Sequence, residues 1–308
     1  MPHAHNHSHH GHHHHHGSSD GQSLKRLKFA LVLNLSFSAI ELVGGLWTGS
    51  VAILADAVHD FGDAIALGMA VYLEAHSGQG PTVNYSYGLK RLSLLSAVLT
   101  GVVLVTGSVV IAVEAIQRLF EGGSAPFGWG MIGFAVLGLV VNSVAALRLM
   151  KGRTHNEKIM TWHMIEDVLG WAAVLIGALF IQFFGWVWLD PALAIAISLF
   201  VGYNAIKNLV QVTLVFLQRM PHGFDSSILK NELLGIAGVK GIHDLHVWSL
   251  DGEQHVVSLH AVLDQSVDVA KIKKEVRHLA GHHGSVHTTI EIESMVEACA
   301  ENCDPKVK

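Results

Sequence analysis

Three aspartates and a histidine stand close together in DAVHDFGDA, residues 56–64, inside a run that is otherwise apolar. At helical spacing Asp56, His59 and Asp63 fall at i, i+3 and i+7, so they share one face. A second apolar run repeats the device, because TWHMIEDVLG sets His163 and Asp167 at i and i+4. An ionisable group at the centre of a bilayer costs at least about 2.5 kcal/mol, even on lenient insertion scales. Several such groups in two runs need partners, and cations are the obvious ones. Two imidazoles and two carboxylates converging between two helices supply four ligands of the kind Zn²⁺ accepts in tetrahedral geometry. The plainer reading is a set of interhelical hydrogen bonds, and two matched pairs count against it.

The elements that carry these residues are long and apolar. The chain of 308 residues is 50% hydrophobic and 15% charged, with 31 glycines, a balance that fits an integral membrane protein. Six stretches can span a bilayer, each needing about 20 helical residues: 28–47, 51–73, 91–118, 127–150, 159–184 and 188–217. Lys25, Arg26 and Lys28 precede the first span, and Lys90 and Arg91 lie between the second and third. Arg148, Lys151, Arg153 and Lys158 lie between the fourth and fifth, and Arg219 follows the sixth. The opposite loops offer little beyond Arg118, so the positive-inside bias predicts that both termini are cytoplasmic. A net charge of −5 argues against a nucleic-acid partner. A histidine tract, not a basic-then-apolar leader, opens the chain, so no cleavable signal is expected.

Hydropathy falls at Pro221, and residues 221–295 read as a small soluble α+β domain. DSSILKNELLGIA has helical periodicity; VKGIHDLHVWSL and EQHVVSLHAVL are strands joined at Asp251-Gly252, a hairpin signal. VDVAKIKKEVRHLAGHH predicts a helix and VHTTIEIES a last strand, whose edge could pair with a second copy. Residues 1–23 form a histidine-rich tract, 24–220 the membrane domain, and 296–308 a tail holding both cysteines, Cys299 and Cys303.

SVAILADAVHDFGDA, YSYGLKR, WHMIEDVLGWAAVLIG, WLDPALAIAIS and GIHDLHVWSL together resemble the cation diffusion facilitator family, in its zinc-efflux branch. The resemblance runs from about Leu24 to Cys303. It implies six transmembrane helices, a cytoplasmic ferredoxin-like or metallochaperone-like α+β domain, a homodimer in a cell (inner) membrane, and Zn²⁺/H⁺ antiport. Carried over by position, the transport site is His59, Asp63, His163 and Asp167; Asp56, Asp60 and Glu166 are neighbours outside the family's ligand pattern. Asp56 is open to a role in a proton path or to plain hydrogen bonding. The same resemblance implies a structural or regulatory zinc on His243, His260 and Glu293, and a second site from His246, Cys299 and Cys303. Glu291 stands where some bacterial members have a further histidine, so their multi-zinc pattern does not transfer. His282, His283 and His287 are expected to be solvated surface residues, and His76 offers only a thin case for a loop site.

The chemistry suits these residue types. A histidine binds metal only when neutral, so protons and metal compete for the same atoms. An imidazole titrating near its ordinary value of about 6.5 makes that competition sensitive to a modest pH gradient. Imidazole with carboxylate disfavours Cu(I), Mg²⁺ and Ca²⁺, and leaves Co²⁺ and Cd²⁺ open beside Zn²⁺. The first 16 residues hold 10 of the 23 histidines; interruptions by Ala4, Asn6, Ser8 and Gly11 favour a native zinc-collecting tract over an expression tag. An intramembrane zinc enzyme is disfavoured, since His-Glu-x-x-His and Gly-x-Ser-x-Gly are missing and four filled ligand positions leave none open. A membrane-tethered zinc buffer or sensor is the remaining alternative, and it has no use for paired ligands at mid-membrane.

Overall fold

A computed structural model describes residues 20–76, 81–149, 155–264, 266–282 and 284–294. Side chains are described from Lys28 onward, except at positions 70, 74–76, 145, 146, 148, 149, 155–164 and 285. Among the described residues, six long helices come first: α1 Asp20–Thr48, α2 Val51–His76, α3 Leu92–Glu121, α4 Gly128–Leu149, α5 His155–Phe184 and α6 Leu189–Phe216. Four described stretches are long and apolar enough to cross a membrane by themselves: Lys28–Thr48, Leu92–Glu121, Ile165–Phe184 and Leu189–Phe216. α2 falls short because its own aspartates interrupt it, and α4 carries the apolar stretch Gly128–Val144. His76 is the last residue of α2 and does not lie in the loop beyond it.

The turn between α1 and α2 is built by residues far away in the chain. Gly49 takes φ +70°, the left-handed conformation that ends a helix at little cost in glycine. Asp190, 1% exposed at the start of α6, then accepts hydrogen bonds from Ser50 Oγ (2.5 Å), Val51 N (2.9 Å) and Ala52 N (3.3 Å). A carboxylate on these free N–H groups caps α2 and opposes its dipole. Arg118, at the end of α3, donates to Gly49 O (2.6 Å) and to Glu114 (2.7 Å). One end of the bundle is thereby pinned around the first residues of α2.

Small residues let the helices approach α2 closely. A Cβ on Gly62 would fall 2.4 Å from Leu104 Cδ2 of α3, and one on Gly107 would fall 2.3 Å from Val58 Cγ1. This is the small-residue packing by which membrane helices gain contact in the absence of a hydrophobic drive. Ser38 of α1 donates to Ala57 O of α2 at 3.0 Å. The membrane core gathers Phe37, Val51–Ile53, Met131, Trp171 and Val174.

The tail forms α7 Ser226–Leu234, β1 Val239–Ser249, β2 Gln254–Leu263, α8 Val269–His282 and β3 Ser285–Ser294. Asp225 caps α7 by accepting from Ser227 N and Ile228 N, and Asp268 caps α8 by accepting from Ala270 N and Lys271 N. β1 and β2 make the expected antiparallel hairpin, with Gly252 at φ +99° and Asp251 Oδ1 accepting from Glu253 N and Gln254 N. β3 returns parallel to β2 through α8, giving the sheet order β1-β2-β3. Leu229, Leu233, Val257, Leu259, Ile272 and Val276 fill the space between helices and sheet. The protein is therefore a mostly α-helical membrane protein with a small α+β domain after its membrane region.

Candidate metal centres

α2 and α5 bring part of the intramembrane set together. His59 Nε2 lies 3.9 Å from Asp63 Oδ2 on its own helix and 3.8 Å from Asp167 Oδ1 on α5. Two ligands of one tetrahedral Zn²⁺ stand roughly 3.3–3.5 Å apart, given bonds of about 2.0–2.2 Å. The two separations from His59 are thus slightly wider than a metal would draw them, and among the described residues the group with three ligand atoms all within 4.8 Å of one another is His243, His260 and Glu293. Asp167 is 8% exposed and His59 22%, so the cluster is shielded without being sealed. The side chain of His163 lies outside those described; its backbone stands one helical turn before Asp167 on α5.

Acidic neighbours surround this cluster. Asp56 and Asp60 are 9% and 8% exposed. Glu41 of α1, fully buried, lies beside both of them. The spacing on α2 could not reveal Glu41, because it is a single acid in an apolar helix. The signal available for it was the cost of any carboxylate at that depth. Asp190 carried the same signal, and its partners are the backbone amides of α2.

In the soluble domain the hairpin register sets His243 directly across from His260. Their ring centroids are 5.1 Å apart. Glu293 of β3, 7% exposed, accepts from both: His243 Nε2 to Oε2 and His260 Nδ1 to Oε1, each at 2.8 Å. One potential ligand atom from each residue lies within 4.8 Å of the other two. Burial pushes the Glu293 carboxyl up, but the two histidine hydrogen bonds outweigh it and hold it below the ordinary carboxylate range. An ionised carboxylate between two imidazoles is a donor set that fits Zn²⁺, with room for water as a fourth ligand.

His246 goes elsewhere. A bulge between His243 and His246 puts Asp244 at φ +49°, and Asp244 Oδ1 holds His246 Nε2 at 2.8 Å. Asp244 Oδ2 and Glu291 Oε2 also approach His260 Nε2, at 3.5 and 3.4 Å. His246 is thus not part of the His243–His260–Glu293 group, and Cys299 and Cys303 lie outside the described residues. Sequence spacing missed Asp244, since only the bulge turns it toward the histidines.

With both centres on one chain, comparison with known proteins decides the lineage. Residues 27–217 match the cation efflux transmembrane domain, and residues 221–295 the cation efflux protein cytoplasmic domain. The chain belongs to the cation efflux family. This is the cation diffusion facilitator lineage that the motifs resemble, and its members are transporters, not enzymes. A Bacillus subtilis (strain 168) relative, a cadmium, cobalt and zinc/H(+)-K(+) antiporter, is 31% identical over 94% of this chain and 96% of its own length. The zinc transporter ZitB of Escherichia coli (strain K12) is 32% identical over 89% of this chain and 88% of its own. The metal cation efflux system protein CzcD of Cupriavidus metallidurans is 32% identical over 89% and 87%. Among the described residues, imidazole and carboxylate groups of the membrane region approach one another between α2 and α5.

Proposed function

We propose that the chain exports Zn²⁺ from the cytoplasm in exchange for H⁺, with Co²⁺ and Cd²⁺ as further cargo, through His59, Asp63, His163 and Asp167. The observation that carries this reading is the approach of His59 to Asp167 across two helices, with Asp63 one turn along α2. Asp63 is the thirteenth of the 26 residues of α2, about 18 Å from its first residue, which is mid-membrane depth. The names of the relatives support metal efflux, and that of the Bacillus subtilis protein supports exchange against H⁺ and K⁺.

Each residue has a distinct part. His59 and His163 offer borderline nitrogen ligands that a proton can claim, so the arriving proton displaces the metal. Asp63 and Asp167 supply the charge that makes a dication welcome in a low-dielectric bundle. Alternating access exposes the centre to the cytoplasm for loading and to the far side for protonation. Both termini are cytoplasmic and the unit is a homodimer in the cell membrane. His243, His260 and Glu293 hold a regulatory zinc outside the transport path, and the 1–23 tract gathers zinc near the entrance. His246 with Cys299 and Cys303 remains a candidate second site.

Zinc flux into proteoliposomes, with and without an imposed pH gradient, tests this. Uptake should accelerate when the gradient drives protons opposite to the metal. Flux indifferent to the gradient overturns the antiport reading.

A further inference from the structure

α8 ends in RHLAGH, with His278 and His282 at i and i+4. Both are exposed, because the buried face of this helix is Ile272, Val276 and Ala280. Their ring centroids are 4.5 Å apart, with planes at 72°. The structure shows no hydrogen bond or ion pair from either imidazole to another described residue. Their contact follows from the i, i+4 spacing, which sets both imidazoles side by side on the exposed face of α8.

The surroundings point to a cation. Two histidines one turn apart on a helix are the arrangement by which such a helix binds zinc through two nitrogens. The pair lies in the last turns of α8, where the unpaired carbonyls present the negative end of the helix dipole. Lys274 and Arg277 on the same helix act against a cation, and with only two protein ligands the affinity is modest.

Position gives the pair its interest. From α8 the chain turns at Gly284, φ +120°, directly into β3. The first residues of β3 meet the membrane domain: His287 packs on Tyr87, and Gln254, the register partner of Ser285, accepts from Lys90 Nζ. Glu293 lies eight residues beyond Ser285 along β3, roughly 26 Å away, so this end is separate from the His243–His260–Glu293 cluster.

We propose that His278 and His282 form a second, independent metal site, a two-imidazole chelate completed by water. It takes borderline divalent cations and sits beside the segment that joins α2 to α3. Chelation follows from the two side chains alone; its role as a holding point for cargo rests on the zinc-export reading above.

The test is amide hydrogen exchange on the full-length chain in lipid nanodiscs, with and without Zn²⁺. Fraying of the last turn of α8 must break a zinc–nitrogen bond when both rings share one ion. At zinc about tenfold above the dissociation constant, exchange in the last turn should slow roughly tenfold. His278→Ala and His282→Ala should each abolish that slowing while peptides around His243 and His260 still respond. Because the readout is local, metal held by the N-terminal histidines does not enter it. Slowing of equal size in both variants, or none in the unaltered chain at millimolar zinc, overturns the proposal. The same measurement on Asp63→Ala keeps the two readings apart: the α8 response should persist there even though transport is lost.

Discussion

Tyr87, in the segment between α2 and α3, packs edge-on against His287 of β3, with ring centroids 5.8 Å apart and planes at 86°. Three residues on, Lys90 donates to Gln254 of β2. These contacts join the soluble domain to the segment that continues directly from α2, the helix bearing His59 and Asp63. An aromatic contact of this kind is worth about 1 kcal/mol, roughly a fivefold change in a docking equilibrium. Tyr87→Ala should raise hydrogen exchange at residues 254–258 and 286–290 by about that factor, with the hairpin around His243 unaffected. Unchanged exchange there would mean that the contact carries no docking energy.

Within the bundle, Asp63→Ala and His163→Ala should each reduce zinc flux to background while leaving the assembled protein intact by size-exclusion chromatography. Exchanging His59 for Asp replaces a borderline nitrogen with a hard oxygen, so discrimination among Zn²⁺, Cd²⁺ and Co²⁺ should loosen. Near-normal flux in either alanine variant would rule out a four-ligand centre.

For the soluble cluster, Zn²⁺ should raise the thermal midpoint of the full-length protein, and the His243→Ala, His260→Ala double variant should lose most of that rise. Without metal, the depressed Glu293 carboxyl contributes stability that is present above its unfolded value of about 4.3. That contribution disappears as pH falls through the lower folded value. Glu293→Gln should therefore flatten the loss of stability below about pH 4.3, as read by thermal melts across an acid series. A variant as acid-sensitive as the parent would show that other carboxylates dominate.

Asp190 caps α2 from α6, so its loss strands Ser50 and two backbone amides in a buried turn. Asp190→Ala should cost about 2 kcal/mol, and Asp190→Asn less, because the amide oxygen still accepts. Melting in detergent checks the order. An alanine variant as stable as the parent would show that water replaces the carboxylate.

Much of this protein is legible from local pattern. Apolar run length announces the membrane helices, because the bilayer core sets a minimum number of residues per span. The i, i+4 spacing of His59 with Asp63 and of His163 with Asp167 announces shared helix faces, and Asp251-Gly252 announces the hairpin. That hairpin places His243 and His260 on paired strands, but the register beside the turn would set His243 against Ala261, and the bulge between His243 and His246 shifts it to His260. What local pattern cannot contain is contact between distant segments. Glu41 meets Asp56 and Asp60 only because α1 packs on α2, and Asp190 reaches Val51 across 139 positions of chain. Asp244 faces His246 and His260 only through a bulge that reverses its backbone dihedral. The docking of Tyr87 on His287 depends on how the membrane region and the soluble domain meet. Periodicity reports which face of an element a residue occupies, whereas packing chooses the face that it meets.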